Sequence, residues 1–306
     1  MNTPGSSPST GSDARHEPVL ADEVSEWMAP RPGGVYVDCT LGAGGHTRRL
    51  VAAGAATVIG IDRDAQALEA ARVALGEAAA MVEFVHEDYR RLPDVLASRG
   101  IASVDGVLAD LGVSSMQLDD AARGFSFRRA GPLDMRMDPS RDASLADRLQ
   151  GVDAGTLADV LWTFGEERHS RRIARAMVAA RDRGALSDTG ALAAVVRRAA
   201  GGRGWQRIDP ATRTFQALRI WVNAELDGLD TFLDAACRVL APAGRLAVIA
   251  FHSLEDRVVK HTFRRLTGES PAWRLLTRRP IVPGATECAR NPRARSARLR
   301  VLERVA

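Results

Sequence analysis

A short apolar run followed at once by a glycine-rich loop constrains the fold of this chain more than any other stretch. Residues 35–41 (VYVDCTL) have the composition of a buried parallel strand, and residues 42–47 (GAGGHT) follow directly. Glycines without a Cβ let the backbone turn sharply and approach a ligand. A helix-forming run at 48–53 comes next, so the sequence predicts the strand, loop and helix that bind nucleotides in open α/β sheets.

An acidic residue closes the next predicted strand. Asp62 ends the run 57–62 (TVIGID), 20 positions after Gly42, where a carboxylate can accept both hydroxyls of a ribose. The alternative is a tight turn without a ligand. Thr47 replaces the last glycine of the nicotinamide fingerprint, and a nucleoside-triphosphate P-loop is absent. The pattern therefore favours S-adenosylmethionine and methyl transfer, with nicotinamide-dependent hydride transfer as the alternative.

Composition narrows the class of protein. None of the apolar runs in the 306 residues approaches 18 residues, which predicts a soluble protein without a membrane segment. The three cysteines, Cys39, Cys237 and Cys288, lack metal-ligand spacing and indicate free thiols in a reducing cytoplasm rather than a metal site. The net charge of +4 favours an acidic partner such as nucleic acid.

Apolar runs separated by helical stretches predict the order of the sheet. The predicted strands are 35–41, 57–62, 81–86, 104–112, 245–251 and 298–305. The first four alternate with helices, which predicts a doubly wound, mostly parallel α/β sheet of the seven-strand type.

A long helical region interrupts this alternation. No convincing strand occurs between 113 and 210, and the stretch is too long for a loop, so we predict an inserted all-helical subdomain. The predicted organisation is a disordered tail at 1–15, a cofactor-binding domain at 16–112 and 211–306, and the helical insert at 113–210.

Several long motifs agree with one another. The runs are 16–20 (HEPVL), 38–47, 110–119 (DLGVSSMQLD), 123–127 (RGFSF), 132–138, 164–168 (FGEER), 215–226, 251–260 and 291–296 (NPRARS). On these runs, which span nearly all of the chain after Arg15, the sequence resembles the small-subunit ribosomal RNA cytosine-N4 methyltransferase H family.

The resemblance implies a Rossmann-like class I methyltransferase dependent on S-adenosylmethionine, with an insert that recognises the substrate. The implied reaction is N4-methylation of a decoding-centre (P-site) cytosine in 16S ribosomal RNA of the small ribosomal subunit. The cofactor contacts implied by matching position are Gly44, Gly45, His46, Asp62, Tyr89, Asp110 and Gln117. Tyr89 stands where the family often has phenylalanine.

The group that accepts a hydrogen from the cytosine amine stays open at this point. Many amino methyltransferases carry an Asp/Asn/Ser-Pro-Pro-aromatic run after the fourth strand, whereas this chain has DLGVSS at 110–115. The first candidates are Asp110 and the loop of Ser114 and Ser115. The second choice, after the fifth strand, comprises His252, Ser253 and Glu255. All of them follow neighbouring strands, so one crevice can hold them.

Arginines and phenylalanines supply the candidate RNA contacts. Arg123, Phe125 and Phe127 offer a cation and two rings for a flipped-out base, although both rings equally fit the core of the insert. Arg293 and Arg295 lie in a predicted loop and are expected to contact phosphates. For the whole chain, a non-catalytic RNA-binding module is a further alternative.

Overall fold

Seven strands form one sheet within the residues that the structure describes. The computed structural model describes residues 18–201 and 209–305, so the predicted tail at 1–15 lies outside the described residues. The strands are β1 (Val35–Asp38), β2 (Thr57–Asp62), β3 (Val82–His86), β4 (Val104–Asp110), β5 (Leu240–Ala250), β6 (Trp273–Leu275) and β7 (Arg298–Arg304). Their order is β3-β2-β1-β4-β5-β7-β6. Strands β1 to β5 pair in parallel and β7 runs antiparallel to both neighbours, which confirms the doubly wound α/β fold.

Helices cover the sheet and also form the insert. They are α1 (Ala21–Met28), α2 (Gly45–Ala52), α3 (Ala65–Leu75), α4 (Leu92–Ala97), α5 (Ser115–Asp119), α6 (Leu145–Gly151), α7 (Ala154–Gly165), α8 (Ser170–Asp182), α9 (Thr189–Ala200), α10 (Ala211–Asn223), α11 (Leu229–Arg238), α12 (Ser253–Glu269) and α13 (Ala285–Arg290). Across 18–201 and 209–305, none of these helices combines the length and apolar character needed to cross a membrane.

The sheet buries an apolar layer on each face. Successive strand residues point to opposite sides, so Val37 and Ile59 pack under α4, α11 and α12, whereas Tyr36 and Val58 pack under α1, α2 and α3. Because both faces are covered, the central strands are almost continuously apolar. This is why the strands could be recognised from the sequence.

The insert has a core of its own. Leu157, Ile173 and Leu192 from α7, α8 and α9 belong to one buried cluster, together with Phe215 and Leu218 of α10. Helix α10, which the sequence-based division assigned to the cofactor-binding domain, thus packs with the insert. We therefore propose that the structural boundary of the insert lies after Asn223 rather than at 210.

Three local departures from the predicted elements have simple causes. Strand β6 was not predicted, since it has three residues and no period can be read from so few. The helix-forming run 65–80 is α-helical only to Leu75, because Gly76 has φ 56° and a 3-10 helix follows to Met81. The run 241–244, which contains a proline and a glycine, lies inside β5 as an irregularity, with Ala243 at φ 60°.

Candidate active site

The carboxyl ends of β1, β2, β4 and β5 open onto a cavity of about 540 Å³. Ligands of α/β sheets bind at this edge, and the volume falls in the range of small-molecule sites. The predicted site residues that line it are Gly45, His46, Asp62, Tyr89, Asp110, Ser114, Ser115, Gln117, Phe125, Phe127, His252, Glu255 and Arg293. Gly44, Arg123, Ser253 and Arg295 are not part of the wall that the described residues form.

The glycine loop positions the start of α2 beside the cavity. Gly42 has φ 52° and Gly44 has φ 77°, a left-handed conformation that glycine adopts without strain. A Cβ on Gly44 would also lie 3.0 Å from Leu75. Gly44 therefore shapes the loop, while Gly45 and His46 present the first turn of α2 to the cavity.

Asp62 holds the glycine loop in place. One of its carboxylate oxygens accepts from the backbone N–H of Gly42 and the other from that of Asp64, both at 2.8 Å. Each oxygen keeps a lone pair for a ligand hydroxyl. Burial raises the pKa of Asp62 to about 6. This effect outweighs that of the two hydrogen bonds, which lower the pKa. The side chain thus has the position and chemistry expected of a ribose-binding carboxylate.

A second buried carboxylate, Asp38, ends β1 and does not line the cavity. It accepts from the Thr47 hydroxyl at 2.8 Å and from the Thr40 N–H at 3.2 Å. Burial outweighs these bonds and raises its pKa from 3.8 to about 6. The folded protein therefore binds this proton more tightly than the unfolded chain.

This linkage makes stability depend on pH with a definite sign. The stabilising effect of the protonated Asp38 is fully present below about pH 4 and is lost as the pH rises to about 6. Relative to Asp38→Asn, the free energy of unfolding of the wild type should fall by about 3 kcal/mol across this window. Urea denaturation of both proteins at several pH values tests this, and a constant difference would contradict it.

His46 and Asp110 bring unpartnered polar atoms into the cavity. Both ring nitrogens of His46 and Oδ1 of Asp110 are buried without a hydrogen-bond partner among the described residues. His46 Nε2 lies 3.8 Å from Asp110 Oδ2. Burial, together with Arg49, lowers the pKa of His46 to about 4. Burial, with Asp38 and Glu255 adding to it, raises the pKa of Asp110 well above its ordinary value.

The loop after β4 is fixed by a helix cap. The Ser114 hydroxyl accepts from the Gln117 N–H at 3.2 Å, and the Gln117 side-chain oxygen accepts from the Ser114 N–H at 3.0 Å. The Gln117 amide donates to Asp64 at 2.8 Å. Ser114 thus caps α5, whereas Ser115 begins this helix at the cavity wall.

The Arg123 guanidinium, for which an RNA contact is predicted, has hydrogen-bond partners within the protein. Its side chain is buried, and Nη1 donates to Asp64 at 2.7 Å. Nη2 donates to the backbone carbonyls of Arg136 and Met137, both at 3.0 Å. These bonds favour a structural role, in which Arg123 connects the loop after α5 to the start of α3, over the RNA contact, which stays a prediction.

The two phenylalanines fit the alternative of an insert core. Phe125 is a buried member of the insert cluster, and Phe127 packs edge-on against Phe215 with ring centroids 4.7 Å apart. Both also line the cavity. Each ring therefore packs in the core of the insert and also forms part of the cavity wall.

The two arginines predicted to bind phosphates lie beside the cavity on a 3-10 helix at 292–296. Arg293 lines the cavity and donates to both carboxylate oxygens of Asp119, at 2.5 and 3.1 Å. Arg295 is exposed. An exposed pair such as Arg293 and Asp119 contributes little to stability. A phosphate contact for either arginine remains a proposal.

Comparison with known proteins identifies the family. Residues 13–305 match the model of the MraW methylase family. The chain is 51% identical over 291 residues to the ribosomal RNA small subunit methyltransferase H of Sorangium cellulosum, covering 95% of this chain and 91% of that protein. The protein of the same name from Rhodopseudomonas palustris is 51% identical over 308 residues, covering 96% and 92%.

The chain belongs to the MraW methylase family. It is an S-adenosylmethionine-dependent methyltransferase. Two observations on the cavity of this chain fit such a cofactor. Asp62 offers carboxylate lone pairs, and His46 and Asp110 hold buried polar atoms that lack partners within the described part of the chain. Buried polar groups in native proteins generally have a partner, which a bound cofactor would supply to these atoms.

Tyr89, the predicted aromatic cofactor contact, has packing and hydrogen-bond partners of its own within the protein. Tyr89 packs edge-on against Phe232 with centroids 4.6 Å apart, and its hydroxyl donates to the backbone carbonyl of Glu225 at 3.5 Å. Burial raises the pKa of Tyr89, so the ring stays neutral. The ring is held at the cavity wall, where we propose that it contacts the adenine.

Two cavity residues were assigned no role from the sequence. Arg219 of α10 donates to both carboxylate oxygens of Glu225 at 2.8 Å, and both side chains are largely buried at the wall. The run 215–226 belongs to the motifs that carried the resemblance, and the available signal was a charge on the apolar helix α10 followed by an opposite charge just after its end. The importance of the Arg219–Glu225 pair depends on its burial, which the spacing of residues in the sequence does not show.

Proposed function

We propose that this chain transfers a methyl group to the exocyclic N4 of a cytosine in 16S ribosomal RNA of the small ribosomal subunit. The position proposed is the P-site cytosine of the decoding centre, and the reaction would take place in the cytoplasm. The relatives named above support the substrate class. The observation that carries the proposal is the cavity itself, in which Asp62 and the buried polar atoms of His46 and Asp110 share a wall with the insert.

The proposed division of roles follows from the contacts. S-adenosylmethionine supplies an electrophilic methyl group when bound. Asp62 accepts hydrogen bonds from the ribose, while Gly45, His46 and Asp110 form the floor of the site. Gln117 orders the loop after β4 through Ser114 and Asp64. Phe125 and Phe127, from the loop leading into the insert, exclude water from the reacting groups.

The chemistry demands more of the protein than proximity. The lone pair of a cytosine amine is delocalised into the ring, so the amine needs an acceptor for its hydrogen and a fixed orientation. Ser114 is engaged in its helix cap, and burial favours the neutral form of Asp110. A neutral carboxyl accepts a hydrogen bond but is a poor proton acceptor. We therefore propose that Asp110 acts mainly as a cofactor contact.

The product nucleoside tests the proposal. Small ribosomal subunits from a strain lacking this gene are incubated with the protein and S-adenosylmethionine carrying a labelled methyl group, and the digested RNA is analysed by mass spectrometry. We expect label in N4-methylcytidine at one position. Subunits from the parent strain, already modified, should take up no label. Label in another nucleoside, or none, would refute the assignment.

A further inference from the structure

A polar cluster that no step above uses lies in the cavity wall. It consists of Arg219 and Glu225, at and just after the end of α10, and of His252 and Glu255, at the start of α12. All four line the cavity. One ligand-type atom from each of Glu225, His252 and Glu255 lies within 4.8 Å of the others. The charge of Glu255 also acts on Asp110, which places the cluster beside the cofactor contacts.

His252 places a buried ring nitrogen at the cavity wall. Its Nδ1 accepts from the Glu255 N–H at 3.3 Å as the cap of α12, so Nε2 is the ring nitrogen that carries a hydrogen. That atom is buried and has no hydrogen-bond partner in the part of the chain that the structure describes. The side chain is only 6% exposed, and Glu255 Oε1 lies 3.2 Å from Nε2, a contact that helps to lower the pKa of Glu255. A better-aligned acceptor on a ligand would satisfy this donor.

Glu225 provides carboxylate acceptors beside it. Arg219 donates one hydrogen bond to each carboxylate oxygen and leaves a lone pair on each oxygen. Glu255 has a different task. One of its oxygens accepts from the Phe251 N–H at 2.9 Å and from the His252 N–H at 3.4 Å, which fixes the cap that orients the imidazole.

We propose that Glu225 and His252 recognise the Watson–Crick edge of the target cytosine, an inference that rests on the proposed function. Glu225 accepts a hydrogen from N4, and His252 Nε2 donates to N3. Arg219 and Glu255 are positioning residues that hold these two. Cytosine presents a donor next to an acceptor, whereas uracil presents an acceptor next to a donor. The cluster therefore attracts cytosine and repels uracil at the same two atoms.

The same geometry does not favour a metal ion. Glu225, His252 and Glu255 are spaced closely enough for a ligand set. Arg219 already supplies positive charge to both oxygens of Glu225. The cap on Nδ1 leaves a hydrogen, not a lone pair, on His252 Nε2. A nucleobase edge with its own donor and acceptor matches this arrangement better than a cation.

A substrate lacking N3 tests the hydrogen bond from His252. Small subunits are reconstituted with 16S ribosomal RNA that carries either cytidine or 3-deazacytidine at the methylated position. His252→Asn keeps an oxygen that can cap α12 but removes the Nε2 donor. We expect the wild type to be about tenfold slower on 3-deazacytidine, and His252→Asn to be about tenfold slower than wild type on cytidine. The variant should show no further loss on 3-deazacytidine.

Controls separate this inference from the proposed function. Ser144→Ala removes a helix cap of α6 outside the cavity wall and should change the rate on neither substrate. Binding of S-adenosylmethionine by calorimetry should be the same in wild type and His252→Asn. If the two losses multiply, or the wild type does not distinguish the substrates, the inference fails. If wild type methylates neither substrate, the proposed function fails instead.

Glu225 has an independent readout. Glu225→Gln retains the size of the side chain but replaces one acceptor oxygen by a donor. We expect kcat to fall by about tenfold or more while KM for the subunit stays within about threefold, because RNA affinity comes mainly from phosphate contacts. A change confined to KM, with kcat preserved, would overturn the role assigned to Glu225.

Discussion

Arg123→Ala is expected to lower the free energy of unfolding by about 3–5 kcal/mol, the cost of removing one partner from a buried ion pair. The side chains of Arg123 and Asp64 are only 10% and 3% exposed. Without the guanidinium, Asp64 keeps the Gln117 amide and the Gln66 N–H as donors but loses its cation. The carbonyls of Arg136 and Met137 lose their donor as well. Urea denaturation measures the difference.

A second arginine in the same loop, Arg128, provides a control for the loss of one positive charge in Arg123→Ala. Arg128 is exposed, so Arg128→Ala should change the free energy of unfolding by no more than about 0.5 kcal/mol. Asp64→Ala combined with Arg123→Ala should cost less than the sum of the single variants, because neither charge is then left unpaired. If Arg123→Ala kept full stability but reduced the salt dependence of RNA binding, the RNA contact first predicted for it would be correct after all.

Local patterns predicted the centre of the fold, since its signals lie close together in the sequence. The apolar strand at 35–41, the glycines that follow it and Asp62 fall within 28 residues. Parallel strands that are buried on both faces are apolar throughout, so they can be recognised from the sequence. The cavity at their carboxyl ends follows from topology rather than from details of packing.

Sequence reasoning is weakest for charges whose burial depends on elements that are distant in the sequence. Arg123 lies 59 residues from Asp64, and a loop arginine between phenylalanines was interpreted as an RNA contact. Glu225 and Arg219 were given no role, because their burial depends on how α10 packs between the insert and the cofactor-binding domain. Amphipathic spacing shows that a helix has a buried face. It does not show which domain covers that face.

Asp62→Asn is expected to weaken binding of S-adenosylmethionine by about 100-fold. In the proposed role, two hydroxyls of the ribose meet the Asp62 carboxylate, and an amide would retain one acceptor while turning a donor toward the other hydroxyl. Loss of one hydrogen bond to a charged group accounts for a change of this size. Isothermal titration of each protein with the cofactor gives the dissociation constants.

The neighbouring carboxylate makes the experiment specific. Asp38 ends β1 as Asp62 ends β2, and burial raises the pKa of both to about 6, but only Asp62 lines the cavity. Asp38→Asn should therefore change the affinity by no more than about threefold. Near neutral pH, both substitutions replace a buried carboxylate charge with a neutral amide. Their effects on the free energy of unfolding should therefore be similar and cannot explain a difference in affinity. Equal losses of affinity in the two variants would show that the carboxylates act by supporting the glycine loop, and Asp62 would then not be the ribose-binding residue.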